Sequence, residues 1–318
     1  MHLSELGTQL ISTVAPQFEE RKSLTAGTWR LGDLTVRRIG FGAKRLGGRG
    51  VVDLGRPGDA AQVKGLLRRA VELGVNHIDT AAFYPTFAHL DRPRDFTGLN
   101  WANDSIRQAL APYPNDLVIA TKVGPTESGL ARPHQLRGLV EDNLRQLGLD
   151  CLDLVYLRQT GLASVAEHFG VLAELREAGM IRHLGLSNVR AEHISQAQEI
   201  APVVAVQNRY GVDFGRVNDA LLTTCGEQGI AFVPFFALTG TGREVGGLTH
   251  SDPVQTIARD RGATPAQIRI AWTLARGPHV LAIPGTGDPA HLIENLAAAT
   301  VHLSHAELAT LNALPSID

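Results

Sequence analysis

A carboxylate, a phenol, an amine and a guanidinium stand at or just beyond the ends of short apolar runs. Asp79 closes "VNHID", Tyr84 follows five residues later, Lys122 lies near the end of "LVIATKVG", and Arg158 closes "LDLVYLR". Each has an ordinary explanation alone: a rim lysine is commonly a solvated charge, a loop tyrosine packs, and an aspartate at a strand end caps the next helix. Gathered on one mouth, they suit the reduction of a carbonyl. Hydride reaching the carbonyl carbon leaves charge on oxygen, where a proton must be delivered. A phenol is a weak acid, with an unperturbed pKa of about 10. A neighbouring ammonium favours the phenolate, and an adjacent carboxylate keeps that ammonium charged. Tyr84 is therefore the candidate acid, Lys122 its tuner and Asp79 the partner of Lys122.

The chain must position these groups, and its patterning says how. "GTWRLGDLTVRRIG" reads as a hairpin with "GD" at the turn. Apolar runs then alternate with segments of helical period. The series starts with "RIGFGA" and "DAAQVKGLLRRAVELG" and ends with "VLAIPGTG" and "DPAHLIENLAAA", which makes eight strand–helix units. Alternation of this kind means a parallel sheet covered by helices. The expected fold class is α/β, a (β/α)8 TIM barrel, for which ~250 residues is typical. A doubly wound open sheet is the alternative, but the first strand is followed by "GFGAKRLGG" rather than GxGxxG. The expected division is a barrel over residues 27–318 behind an N-terminal arm, residues 1–26. In the arm, Leu3, Leu6, Leu10 and Ile11 fall at helical spacing, which fits a short docked helix or a partly ordered segment. Barrel chemistry sits at the C-terminal ends of the strands, where Asp79, Lys122 and Arg158 stand.

The totals narrow the functional classes. The 318 residues are 44% hydrophobic, and 30 basic residues nearly balance 32 acidic ones. Neither sign forms a long block, so no nucleic-acid or anionic-membrane partner is expected. Cys151 and Cys225 are far apart in sequence, which points to a reducing compartment and away from a zinc site. No apolar run approaches the roughly 18 residues of a membrane span, and the N-terminus does not read as a secretion signal. A cytoplasmic protein acting on a small molecule is the expectation, with its oligomeric state open.

"GFGAKRL", "NHIDTAAFY", "VIATKVG", "IRHLGLSNV" and "IPGTGDPAHLIENLAA" resemble the signature segments of the aldo-keto reductases, in order from about residue 28 to residue 300. The resemblance implies a nicotinamide-dependent reductase of an aldehyde or ketone on this same barrel, with NADP(H) the expected coenzyme and NAD(H) the alternative. Asp79, Tyr84 and Lys122 match three of the family's four catalytic positions; the fourth is ordinarily a histidine and here is Arg158. Arginine stays charged, with five fixed donors. Arg158 could stabilise a developing alkoxide, grip an anionic substrate group, or pair with a carboxylate such as Asp79.

By the same resemblance, Gly285, Thr286 and Gly287 lie by the 2′-phosphate or ribose, and Glu294 and Asn295 meet the adenine. Free N–H groups at the start of the following helix favour a phosphate there. Gly285 and His291 stand where many members carry lysine and arginine, which weakens the phosphate clamp. Ser187, Asn188 and Gln207 match the partners of the nicotinamide amide, and Phe235 falls where an aromatic ring stacks on the nicotinamide. Core packing and a buried amide are the plain alternatives for Phe235 and Gln207. Gly42, Ala43 and Leu238 complete the expected coenzyme groove.

"LTGTGREVGGL" is expected to cross the pyrophosphate. The stretch after Tyr84, with Phe87, Phe96 and Trp101 among charged residues, reads as a substrate wall or a packed surface excursion. Two other functions stay open: a coenzyme-sensing regulatory subunit, and a lyase or aldolase using Lys122 as a Schiff-base nucleophile.

Overall fold

The hairpin forms as expected, from β1 (Thr28–Leu31) and β2 (Leu34–Arg37), paired antiparallel around Gly32 at a φ of 62°. The computed structural model describes residues 26–46, 60–84, 101–238 and 250–317. The N-terminal arm through residue 25, the stretch from residue 85 to residue 100 and the glycine-rich segment 239–249 lie outside the described residues.

Seven parallel strands follow: β3 (Phe41–Gly42), β4 (His77–Asp79), β5 (Val118–Val123), β8 (Leu152–Arg158), β9 (Ile181–Ser187), β10 (Val203–Gln207) and β11 (Ala231–Phe232). β6 (Pro125–Thr126) and β7 (Gly129–Leu130) form a small antiparallel hairpin after β5 that the sequence reading did not anticipate. The seven neighbour one another in chain order, with β3 and β11 at the two margins. The eighth segment, 280–282, joins those margins through the isolated bridges Ile39–Ala282 and Phe232–Val280. Gly40 N donates to Ala282 O at 2.8 Å and Leu281 N to Phe232 O at 2.9 Å, so the sheet closes into the barrel. Arg38 fastens the seam by donating to Val280 O at 3.2 Å and Leu274 O at 2.6 Å. β11 is shorter than the run "IAFVPFFAL" suggests because Pro234 has no N–H for the ladder.

Alternation sorts the strand residues onto two faces. Ile119 and Val123 of β5, with Val155 and Leu157 of β8, pack outward into the main core. Val118, Ala120, Leu154 and Tyr156 point inward and meet Leu31 and Val36 of the hairpin, which plugs the N-terminal end of the barrel. Lys122 shares the inward face of Ala120, and Arg158 that of Tyr156.

The outer helices are α1 (Ala60–Glu72), α2 (Ala102–Leu110), α3 (Leu136–Leu147), α4 (Ala166–Glu177), α5 (Ala191–Gln198), α6 (Asp219–Glu227), α7 (Asp252–Arg261), α8 (Pro265–Ala275), α9 (Pro289–Ala297) and α10 (His305–Asn312). In α1, Val63, Leu66, Leu67 and Ala70 form the buried stripe expected of a helix lying on a sheet. α7 and α10 are additional to the eight expected units. α10 opens on a capping box between Ser304 and Glu307. Among the described residues no helix is long and apolar enough to cross a membrane.

Candidate active site and its relatives

Lys122 is fully enclosed, 1% exposed, and carries its ammonium at the C-terminal end of β5. Burial alone would depress its pKa, but the Asp79 carboxylate and the Tyr84 side chain more than offset this, so Lys122 is held protonated above its usual range. Its Nζ lies 2.6 Å from Asp79 Oδ1 and 2.9 Å from Thr80 O. Gln207 Nε2 donates to the other oxygen, Asp79 Oδ2, at 2.7 Å. The carboxylate is thus held between an amine from one neighbouring strand and an amide from across the barrel. Tyr84 is 6% exposed, and Lys122 Nζ sits 5.0 Å from its ring centroid. The strand carries Asp79 to the rim, and the turn after it returns Tyr84 beside the amine.

A buried polar chain fixes the backbone on both sides of this pair. Thr80 Oγ1 donates to Asn103 Oδ1 at 2.8 Å, Asn103 Nδ2 donates to Asn143 Oδ1 at 3.0 Å, and Thr121 Oγ1 donates to the same oxygen at 2.5 Å. Thr80 follows Asp79 and Thr121 precedes Lys122, so α2 and α3 hold both catalytic candidates in register. Sequence reading missed Asn103 and Asn143. An asparagine amid apolar helical positions, "GLVEDNLRQL", was the available signal.

A cavity opens above the pair, lined in part by Gly42, Asp79, Tyr84, Arg158, Gln207, Phe235, Leu238 and Gly285. Lys44, Arg45 and Phe236, not singled out from the sequence, line it as well. The Arg158 guanidinium carbon lies 5.6 Å from the Phe235 ring centroid, and Arg158 forms no ion pair with Asp79 or any other described residue. Phe236 holds a φ of 67°, a left-handed conformation uncommon for a bulky side chain, and its ring receives Lys44 Nζ at 5.0 Å.

The remaining expected coenzyme residues are distributed along the rim. Ser187 pairs in register with Arg158 on one side and Gln207 on the other, is wholly buried, and its Oγ has no partner among the described residues. Asn188 adopts a φ of 62°, and its Nδ2 is engaged by Gln159 O at 3.0 Å. Ala43 is buried in the turn after β3. Thr286 Oγ1 accepts from Asp288 N at 2.9 Å, inside the loop that contains Gly287. Asp288 caps α9 by accepting from Ala290 N at 2.7 Å, so a carboxylate already occupies the helix end where a phosphate was expected. His291 Nδ1 lies 3.9 Å from Asp288 Oδ2. Glu294 accepts from Thr264 Oγ1 at 2.5 Å, and Asn295 is buried in the same helix.

The profile of the Aldo/keto reductase family matches residues 38–315. The chain belongs to the aldo/keto reductase family. It is similar to pyridoxine 4-dehydrogenase of Escherichia coli (strain K12), with 40% identity over 306 residues that cover 92% of this chain and 99% of that protein. An uncharacterized oxidoreductase of Schizosaccharomyces pombe (strain 972 / ATCC 24843) is 35% identical over 295 residues, covering 90% of this chain and 89% of its own. Among solved structures, an aldo-keto reductase from Klebsiella pneumoniae in complex with NADPH superposes with a TM-score of 0.72 at 27% identity, covering 90% of this chain and 93% of that one. As an aldo/keto reductase, the chain is an oxidoreductase of the carbonyl-reducing class.

The site fits the nicotinamide dinucleotide that this family uses on one observation: the buried, unpartnered Ser187 Oγ offers a donor and acceptor at the rim. Elsewhere on the rim, Gly42 and Gly285 meet backbone to backbone: a Cβ on Gly42 would lie 2.6 Å from Ile283 O, and one on Gly285 would strike Gly42 O. That close approach of the two loops requires glycine at both positions.

Proposed function

We propose that the chain reduces an aldehyde or ketone to the alcohol with NADPH, Tyr84 being the proton donor. The observation that carries this reading is the buried pair of Lys122 and Asp79, 2.6 Å apart, with the ammonium 5.0 Å from the Tyr84 ring. The coenzyme, when bound, supplies the hydride. Asp79 keeps Lys122 protonated, and Lys122 favours release of the Tyr84 proton onto the substrate oxygen. Arg158 places a fixed positive charge on the same cavity. Ser187 would hold the carboxamide and Phe235 would lie against the ring. In the reverse direction the Tyr84 phenolate, favoured by Lys122, accepts the proton of the alcohol. The likeness to a pyridoxine 4-dehydrogenase makes pyridoxine and its 4-aldehyde the first substrates to try.

A protonated Lys122 weighs against the Schiff-base reading, which needs a free amine. The test is loss of NADPH absorbance with pyridoxal and benzaldehyde. Tyr84→Phe is expected to lower the rate about a hundred- to ten-thousand-fold while NADPH still quenches protein fluorescence. Full activity in that variant ends the assignment, and coenzyme binding without turnover of any carbonyl compound favours the sensing subunit.

A further inference from the structure

Three cations line the cavity above Asp79: Lys44, Arg45 and Arg158. Asp79 is the single carboxylate among the described lining residues, and Lys122 and Gln207 already occupy both of its oxygens. Neither Arg45 nor Arg158 forms an ion pair with a described residue. Arg158 instead lies 5.6 Å from the centre of the Phe235 ring, and Lys44 Nζ lies 5.0 Å from the centre of Phe236. A guanidinium against an aromatic ring keeps its planar fork of donors free for a further acceptor. Arg45 is half-buried, and burial pulls its pKa down, with no counter-charge among the described residues to offset it.

Resting on the reductase reading above, we propose that this cavity selects carbonyl substrates that carry a carboxylate, held by the Arg158 fork with Lys44 and Arg45 adding positive potential. The geometry favours a carboxylate because its two oxygens match the fork in a bidentate pair. Arg158 ends β8, next to the strand that bears Lys122 and on the same inward face. A substrate anchored there by its carboxylate would present a carbonyl at the other end of the cavity, beside Tyr84.

The coenzyme also carries negative charge, so the test separates the two claims. Calorimetry on the NADP⁺-loaded protein compares benzoate with benzamide, which differ in charge and little in shape. Benzoate is expected to bind at least tenfold tighter, and Arg158→Gln to remove that difference while the affinity for NADP⁺ changes less than threefold. In turnover, 4-carboxybenzaldehyde should exceed benzaldehyde in kcat/KM at least tenfold, and that ratio should collapse in Arg158→Gln whatever the loss on each substrate. Equal binding of benzoate and benzamide overturns the proposal. So does a tenfold loss of NADP⁺ affinity in Arg158→Gln, which would hand the residue to the coenzyme, and so does a phosphorylated aldehyde preferred over the carboxylated one. Tight benzoate binding with no turnover of any aldehyde upholds the anion site and defeats the reductase reading instead.

Discussion

Gln207 reaches across the barrel to Asp79: its Nε2 lies 2.7 Å from Oδ2, the oxygen that Lys122 leaves free. An ionised carboxylate only accepts, so the amide must present its nitrogen there, leaving Oε1 towards the cavity. Gln207 is thus a positioning residue for Asp79 as well as a candidate coenzyme contact. Gln207→Leu leaves a buried carboxylate oxygen without a donor and is expected to cost about 1–3 kcal/mol of stability. Urea denaturation measures this, and an unchanged midpoint would remove the role.

The pair itself gives a sharper expectation. Removing one partner of a buried ion pair costs roughly 3–5 kcal/mol, while replacing both with apolar groups is often neutral. Lys122→Met is therefore expected to destabilise strongly. The double variant Asp79→Leu with Lys122→Met should recover most of the stability and none of the reductase activity. Recovery of activity along with stability would show that the pair serves the fold alone.

Asn143 touches neither cavity nor coenzyme groove, yet its Oδ1 accepts from both Asn103 and Thr121. Asn143→Leu frees the backbone that carries Lys122. The expected result is a fall in kcat of about tenfold or more, since small misplacements at a reacting centre are costly, with NADP⁺ affinity unchanged. Steady-state kinetics and fluorescence titration separate these readouts.

His77 lies below Asp79 on the same strand, wholly buried, with neither ring nitrogen partnered among the described residues. Desolvation pushes its pKa down to about 4 from an ordinary 6.5. The unfolded chain then binds more protons than the native one between those values, so stability is complete above pH 6.5 and is lost as pH falls towards 4. Burial lowers His193 and His279 in the same direction. His77→Phe is expected to flatten the slope of unfolding free energy against pH in that window, and an identical slope would show that the imidazole is satisfied in solution.

At the far end of the groove, Asp288 caps α9 and His291 stands 3.9 Å from its carboxylate. A 2′-phosphate placed there would meet one negative charge and no fixed positive one among the described residues of that loop. His291→Arg supplies a charge-assisted donor worth about 1.5–3 kcal/mol, so the NADPH over NADH preference in Kd should rise at least tenfold. Gly285→Lys should instead lose stability, because a Cβ at that position strikes Gly42 O.

Much of this was legible from residues alone. The alternation of apolar runs and helical periods specified the barrel, and Asp79, Tyr84 and Lys122 stood out because their side-chain types combine into one chemistry. What was not legible depends on contacts across the sheet. Gln207 reads as a polar strand end until the barrel brings it to Asp79. Lys44 and Arg45 follow a strand of two residues, and only the cavity lining shows where they point. The extra helices α7 and α10 did have local signals, a serine before Asp252-Pro253 and the Ser304 to Glu307 box, but helical period in short segments is easily absorbed into a neighbouring unit.

The seam between β3 and β11 has one consequence more. β8 and β9 share a six-residue register, whereas single bridges at Ala282 and Val280 join the margins of the rolled sheet. That line of closure runs up to Gly42 and Gly285, where the coenzyme is expected to lie. An occupied groove would act as a rivet across the thinnest part of the wall, so that filling the site and holding the cylinder shut become one event.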